Sequence, residues 1–313
     1  MTTTIGSSDL DVFPLGLGGN TFGWTSDKQT SFAVLDAYIA AGGNFIDTAD
    51  SYSAWVPGNS GGESETIIGE WTAARGNRDS VIIATKVFSH PRFRGLSPKN
   101  VLAAADASLA RLRTDRIDLY YAHRDDPDVP VAEAAGAFHE LQLAGKIGHV
   151  GLSNYTAPRL REWFAVAAAE GFAPPVALQP HYNLMERAAY ETALAPVAAE
   201  FGVGVLPYYA LASGFLAGKY RSESDHAGAA RQPGATRYLT PTGQAVLAVL
   251  DSIAADRGVA PATVALAWLR TRPNVVAPLA SARTVDQLPA LLAAATLDLT
   301  ADEAESLDKA SAG

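Results

Sequence analysis

Cysteine is absent from all 313 residues, which excludes disulfides, thiolate-held metals and a cysteine nucleophile together. Positive charge is scarce: 24 Lys and Arg stand against 33 Asp and Glu, a formal net charge of −9. That balance argues against a nucleic-acid or acidic-membrane partner. Long apolar runs are missing, and stretches such as Val101 to Ala107 are short and interrupted by charge, so no membrane span is expected. The opening Met1-Thr2-Thr3-Thr4-Ile5-Gly6 has no basic segment leading into an apolar one. No secretory signal is read there, and a soluble cytoplasmic protein is the expectation. No G-x-G-x-x-G occurs, so no Rossmann-type dinucleotide turn is present. H-x-H and H-E-x-x-H are also absent, and there are only six His. These absences weigh against a metal-dependent barrel hydrolase built on His123, His149 and His181 with Asp47 or Asp125.

What is present is an alternation of strand-like and helix-like segments, the pattern of an α/β fold. Candidate core strands run over Val12 to Leu17, Phe45 to Thr48, Val81 to Val87, Ile117 to His123, His149 to Ser153, Val176 to Gln179, Gly204 to Tyr208 and Val275 to Leu279. Helical patterns lie between them at Asp27 to Ala41, Ser64 to Arg75, Pro98 to Leu112, Val131 to Ala144, Ala157 to Ala169, Arg187 to Phe201, Pro241 to Arg257 and Pro261 to Arg270. Another, Thr284 to Ala294, follows the last strand. A polar hairpin ahead of the first strand is placed to plug a barrel bottom, and Thr300-Ala301-Asp302-Glu303 reads as the capping box of an extra C-terminal helix. No composition break suggests a linker, so residues 1–313 are read as a single (β/α)8 barrel. Residues 221–239 are polar and rich in small residues, and a long loop there would lie on the barrel's catalytic rim, as a cover or as a solvated insertion.

Four polar residues close these apolar runs or follow them: Asp47, Tyr52, Lys86 and His123. In a (β/α)8 barrel the C-terminal strand ends share one rim, so these distant positions should converge. A buried ammonium needs a counter-ion, and Asp47 ends the strand preceding that of Lys86. The pair could be purely structural, Tyr52 could merely line a pocket, and a lone histidine is more often a satisfied core residue. Read together, a carboxylate, an ammonium, a phenol and an imidazole can move a proton near neutral pH. Lys86 beside Tyr52 is expected to favour the phenolate and lower the Tyr52 pKa.

Longer matches follow these four in order. Asn44 to Tyr52 leads into Gly62-Glu63-Ser64-Glu65 and Gly69, then Lys86, Ile117 to His123, Gly151 to Tyr155, Gln179 to Leu184, Gly214 to Tyr220 and Ser281 to Leu288. Over almost its whole length the chain resembles the aldo-keto reductases, and most closely the bacterial branch that also includes the potassium-channel β-subunits.

The resemblance implies a (β/α)8 barrel that binds NADP(H) in extended form and reduces a small-molecule carbonyl compound to an alcohol, with no expectation about oligomeric state. Tyr52 would donate the proton, Lys86 held by Asp47 would tune it, and His123 would orient the carbonyl. Ser153, Asn154 and Gln179 match positions that hold the nicotinamide carboxamide, and Tyr208 matches the aromatic stacked on its ring. Leu211, Ser213 and Lys219 match the loop around the pyrophosphate; Arg283 and Gln287 match the segment at the 2′-phosphate and adenine. Trp24, Trp55, Phe88 and Tyr155 are candidates for the substrate pocket. The chain departs from the family where Tyr208-Tyr209-Ala210-Leu211 replaces an aromatic followed by Ser-Pro-Leu. It also has Ser281 in place of a glycine, and Ala290 and Leu291 in place of a Glu-Asn pair at adenine. The alternative the branch raises is a non-enzymatic cofactor sensor or accessory subunit.

Overall fold

A computed structural model describes residues 2–222, 224–225 and 232–312. Among them, eight parallel strands are hydrogen-bonded side by side. In chain order they are β1 (Gly16–Gly18), β2 (Phe45–Asp47), β3 (Ile82–Val87), β4 (Ile117–Ala122), β5 (Ile147–Ser153), β6 (Ala177–Gln179), β7 (Gly204–Val205) and β8 (Leu279–Ala280). β8 pairs with β1, and the segment entering β8 bridges β7 through Val275 and Val205. Val276 N donates to Val205 O at 2.9 Å and Leu279 N to Pro207 O at 2.9 Å, which closes the sheet into a (β/α)8 barrel.

Alternation along each strand decides which side chains enter the barrel. Leu119 and Tyr121 of β4 belong to the inner cluster with Phe45, Ala84, Ala177 and Leu206, whereas Tyr120 and Ala122 pack outward against the helices. The same parity aims Asp47, Lys86, His123, Ser153, Gln179 and Tyr208 inward at the upper end. Gly151 keeps space for this packing: a Cβ there would stand 2.4 Å from the Tyr121 ring. The lower end is stoppered by the hairpin of Thr3–Thr4 with Asp11–Val12, whose Ile5, Leu10 and Val12 join the inner cluster.

Helices Pro98–Leu112, Pro241–Arg257 and Pro261–Arg270 match the sequence reading residue for residue, and the Thr300 capping box forms at the start of Ala301–Ala310. Prolines explain most departures, because each removes a backbone donor. Pro14 breaks the expected Val12 to Leu17 strand, giving Asp11–Val12 to the hairpin and starting the barrel strand at Gly16. Pro207 cuts the seventh strand back to Gly204–Val205, so Tyr208 is tied in by an isolated bridge to His181. Pro196 turns the expected Arg187 to Phe201 helix into a π-turn over Tyr190–Leu194 followed by Ala195–Phe201. Pro289 divides Thr284 to Ala294 into a 3-10 turn, a helix over Leu288–Leu292 and a second 3-10 turn. His149 lies inside β5 and does not begin it. A hairpin of Ser89–His90 with Phe93–Arg94, unforeseen from the sequence, follows β3. Of the rim loop at 221–239, residue 223 and residues 226–231 lie outside the described residues.

Candidate active site

β2 and β3 build the centre. After Asp47 the chain keeps to the edge of β3: Thr48 N donates to Ala84 O at 2.8 Å and Asp50 N to Lys86 O at 3.2 Å. It then turns, and Tyr52 comes back over the barrel mouth. Lys86, fully buried, donates from Nζ to Asp47 Oδ2 at 2.7 Å, to Thr48 O at 2.6 Å and to Tyr52 Oη at 3.1 Å. All three ammonium donors are thereby used. The other Asp47 oxygen accepts from Gln179 Nε2 at 2.8 Å. The His123 ring lies with its centroid 6.2 Å from that of Tyr52.

The electrostatics correct one expectation. Burial pushes the Tyr52 phenol well above its ordinary pKa, and the Asp47 carboxylate adds to the rise. Burial likewise pulls Lys86 down, against the opposing pull of Asp47. An ammonium already neutralised by a carboxylate cannot stabilise a second anion strongly, so Tyr52 stays a phenol and remains a donor. Burial, Lys86 and Arg124 together depress His123 well below the usual imidazole range, so its ring is neutral. His123 Nδ1 is buried without a hydrogen-bond partner.

Two cavities meet here. The first, about 530 Å³, is lined by Tyr52, His123, Trp24, Trp55, Arg124, Ser153, Asn154, Gln179, Tyr208 and Gly234. The second, about 380 Å³, is lined by Leu211, Lys219, Arg283, Gln287, Ala290 and Leu291 among others. Asn20, Tyr209 and Ser213 line both, which makes one continuous groove across the rim. Tyr209, Ala212 and Ser213 hold left-handed backbone. That conformation costs a non-glycine residue of the order of 1 kcal/mol or more, and such strain gathers at functional sites.

The four central residues and all nine candidates for cofactor contact thus belong to the centre or the groove. Ser153 Oγ donates to Gln179 O at 2.8 Å, and Tyr208 Oη donates to Asn154 Oδ1 at 2.7 Å. Trp24 and Trp55 line the first cavity, edge to face with centroids 5.5 Å apart. Tyr155 and Phe88 do not line it. The chain swings outward after the left-handed Asn154, so Tyr155 is buried and packs edge-on to Trp163. Phe88 lies against the core beneath the Arg124 guanidinium. The strand has ended before Tyr209, which is half-exposed between the two cavities. Asn20 and Arg124 were not singled out in the sequence, although Asn20 follows the glycines ending β1 and Arg124 follows His123. His149 bonds Asp9 at 2.7 Å and His181 stacks on Tyr208, so the three rival histidines are not gathered at one point. Among the described residues no group of three or more His, Cys, Asp or Glu is arranged to hold a metal.

Behind Lys86 lies a fully buried acid, Asp50, neither of whose oxygens makes a hydrogen bond of good geometry. Burial pushes its carboxyl well upward, Glu65 adds to this, and Arg111 and Lys86 oppose it. A carboxyl raised on folding holds a proton that the unfolded chain has lost, so stability falls as pH climbs from about 4 towards the raised value. Asp50→Asn, which mimics the protonated acid, should therefore raise the melting temperature relative to wild type, and more at pH 8 than at pH 5. A smaller gain at pH 8 than at pH 5 in thermal melts would refute this.

A (β/α)8 barrel with a buried Asp-Lys-Tyr centre at the C-terminal rim and a groove beside it is the outline of a barrel enzyme. The aldo/keto reductase family model matches residues 14–312, and the chain belongs to that family. Protein tas of Escherichia coli (strain K12) is 34% identical over 322 residues, covering 94% of this chain and 93% of its own length. Norsolorinic acid reductase B of Aspergillus parasiticus is 32% identical over 328 residues, with 97% and 82% covered. A probable voltage-gated potassium channel subunit beta of Oryza sativa subsp. japonica is 32% identical over 294 residues, with 91% and 88% covered. The chain is accordingly an oxidoreductase. Among the described residues, no helix is long and apolar enough to cross a membrane.

Proposed function

We propose that the chain reduces the carbonyl group of a small molecule to an alcohol with NADPH, Tyr52 acting as the general acid. The observation that carries this reading is Lys86 Nζ bonded to both Asp47 and Tyr52 at the head of a groove whose far end bears Lys219 and Arg283. When bound, the cofactor supplies a hydride to the carbonyl carbon. Tyr52 gives its hydroxyl proton to the carbonyl oxygen, and the neutral His123 hydrogen-bonds the same oxygen and aligns it. Ser153, Asn154 and Gln179 are polar groups suited to an amide, Tyr208 to a flat ring, and Lys219 and Arg283 to phosphates. The groove fits an extended dinucleotide: it is continuous, and it carries cations at the end remote from Tyr52.

Mixing the protein with NADPH and a panel of aldehydes and ketones, and following NADPH absorbance in the presence of a chelator, tests the reading. Turnover is expected. Its absence across the panel with cofactor bound would instead favour a sensor or accessory role, which the rice relative's name raises.

Arg283 carries the choice of NADPH over NADH. Its backbone N–H donates to Gln287 Oε1 at 2.9 Å, and no ion pair joins its guanidinium to Asp286 among the described residues. The helix expected from Thr284 is only a 3-10 turn, Val285–Gln287, so the guanidinium and not a helix terminus supplies the attraction for the 2′-phosphate. Arg283→Ala should raise the Michaelis constant for NADPH about tenfold and barely change that for NADH. Equal effects on the two cofactors, or a wild-type preference for NADH, would refute the assignment.

A further inference from the structure

We propose that Arg124 makes the substrate cavity selective for aromatic carbonyl compounds that carry a carboxylate, an inference that rests on the reductase reading above. Two features of the cavity point the same way. Trp24 and Trp55 form an edge-to-face corner, with Tyr52 6.3 Å from Trp55, which presents apolar faces to a flat ring beside the proton donor. Among the described lining side chains Arg124 is the single permanent charge, next in sequence to His123, so a ring lying between the tryptophans and Tyr52 can turn a substituent towards it.

That charge has no internal partner among the described residues, although two carboxylates follow it directly in sequence. Asp125 is held by Arg159, whose Nε and Nη2 donate to it at 2.8 and 2.9 Å. Asp126 Oδ2 accepts from Leu96 N at 2.8 Å, and its Oδ1 accepts from Asp128 N at 3.2 Å. Both are thereby turned away, and the guanidinium rests over the Phe88 ring at 5.7 Å from its centroid. A planar cation supported on an aromatic ring, with its donors uncommitted, matches a carboxylate in shape as well as in sign. The anion takes no part in the chemistry: hydride and the Tyr52 proton add across the carbonyl group, and the carboxylate leaves as it entered.

The test compares 4-formylbenzoate with its methyl ester, which has the same reacting group and a stronger electron pull, so intrinsic reactivity works against the expected preference. For the wild type, kcat/KM should favour the acid by roughly 5- to 20-fold at low ionic strength, and the margin should shrink in high salt. Arg124→Gln should bring the ratio to one or below, and Arg124→Lys should restore part of it. Because the readout is a ratio within each variant, any common loss of folding or cofactor binding cancels. A wild-type ratio near one, or a ratio that Arg124→Gln leaves unchanged, overturns the proposal. If neither aldehyde turns over, the reductase reading fails on its own. The selectivity is then read from quenching of tryptophan fluorescence by benzoate against methyl benzoate, where equal binding overturns it and benzoate preference lost in Arg124→Gln supports it.

Discussion

Tyr52→Phe should lower turnover of a good carbonyl substrate by about a hundred- to ten-thousandfold while NADPH still binds, the span expected when a positioned general acid is removed. The substitution keeps the ring and deletes only the hydroxyl that Lys86 contacts at 3.1 Å. Lys86 and Asp47 keep their own bond, so the fold should hold. Steady-state rates with NADPH, alongside cofactor titration by fluorescence, separate the two effects. Near-normal turnover in this variant would mean that the proton comes from elsewhere, and the proposed role of the whole centre would fail with it.

Lys86→Met should be costly in both stability and activity. The pair it breaks is almost wholly buried, with Lys86 at 0% and Asp47 at 3% side-chain exposure. Removing one partner of such a pair leaves an uncompensated charge and costs about 3–5 kcal/mol. Turnover should collapse as in Tyr52→Phe, because the phenol loses the donor that fixes its oxygen. The double variant Asp47→Asn, Lys86→Met removes the stranded charge, so it should regain much of the stability and none of the activity. Denaturant melts of the wild type and the two variants decide it. A single variant as stable as wild type would show that the buried carboxylate finds another partner or a proton, and that the ion pair does not organise this centre.

Much of this architecture was legible along the chain, for local reasons. Phe45, Ile46 and Asp47 alternate inward, outward and inward, as do Ala84, Thr85 and Lys86, so placing one apolar residue in the barrel places the polar residue that ends the strand. The same step of two carries Leu119 and Tyr121 to His123. Proline and the Thr300 capping box acted locally as well, and where proline was overlooked, at Pro14, Pro196, Pro207 and Pro289, the element boundaries moved.

The sequence by itself therefore determined the α/β barrel, the four central residues and the family, since strand parity and ordered motifs depend on neighbours in the chain. Tertiary structure alone decided the rest. Whether Tyr52 is pushed up or down depends on water excluded by residues far away in sequence, and burial, with the Asp47 carboxylate adding to it, pushes it up. Phe88 and Tyr155 follow strand ends as Trp55 follows its own, yet left-handed turns and loop paths send them to the packing layer. That Arg124 has no carboxylate partner among the described residues depends on Arg159, on the second helix after it, having taken the carboxylate of Asp125. Burial, charge pairing and loop direction are sums over the whole molecule, and no local pattern encodes them.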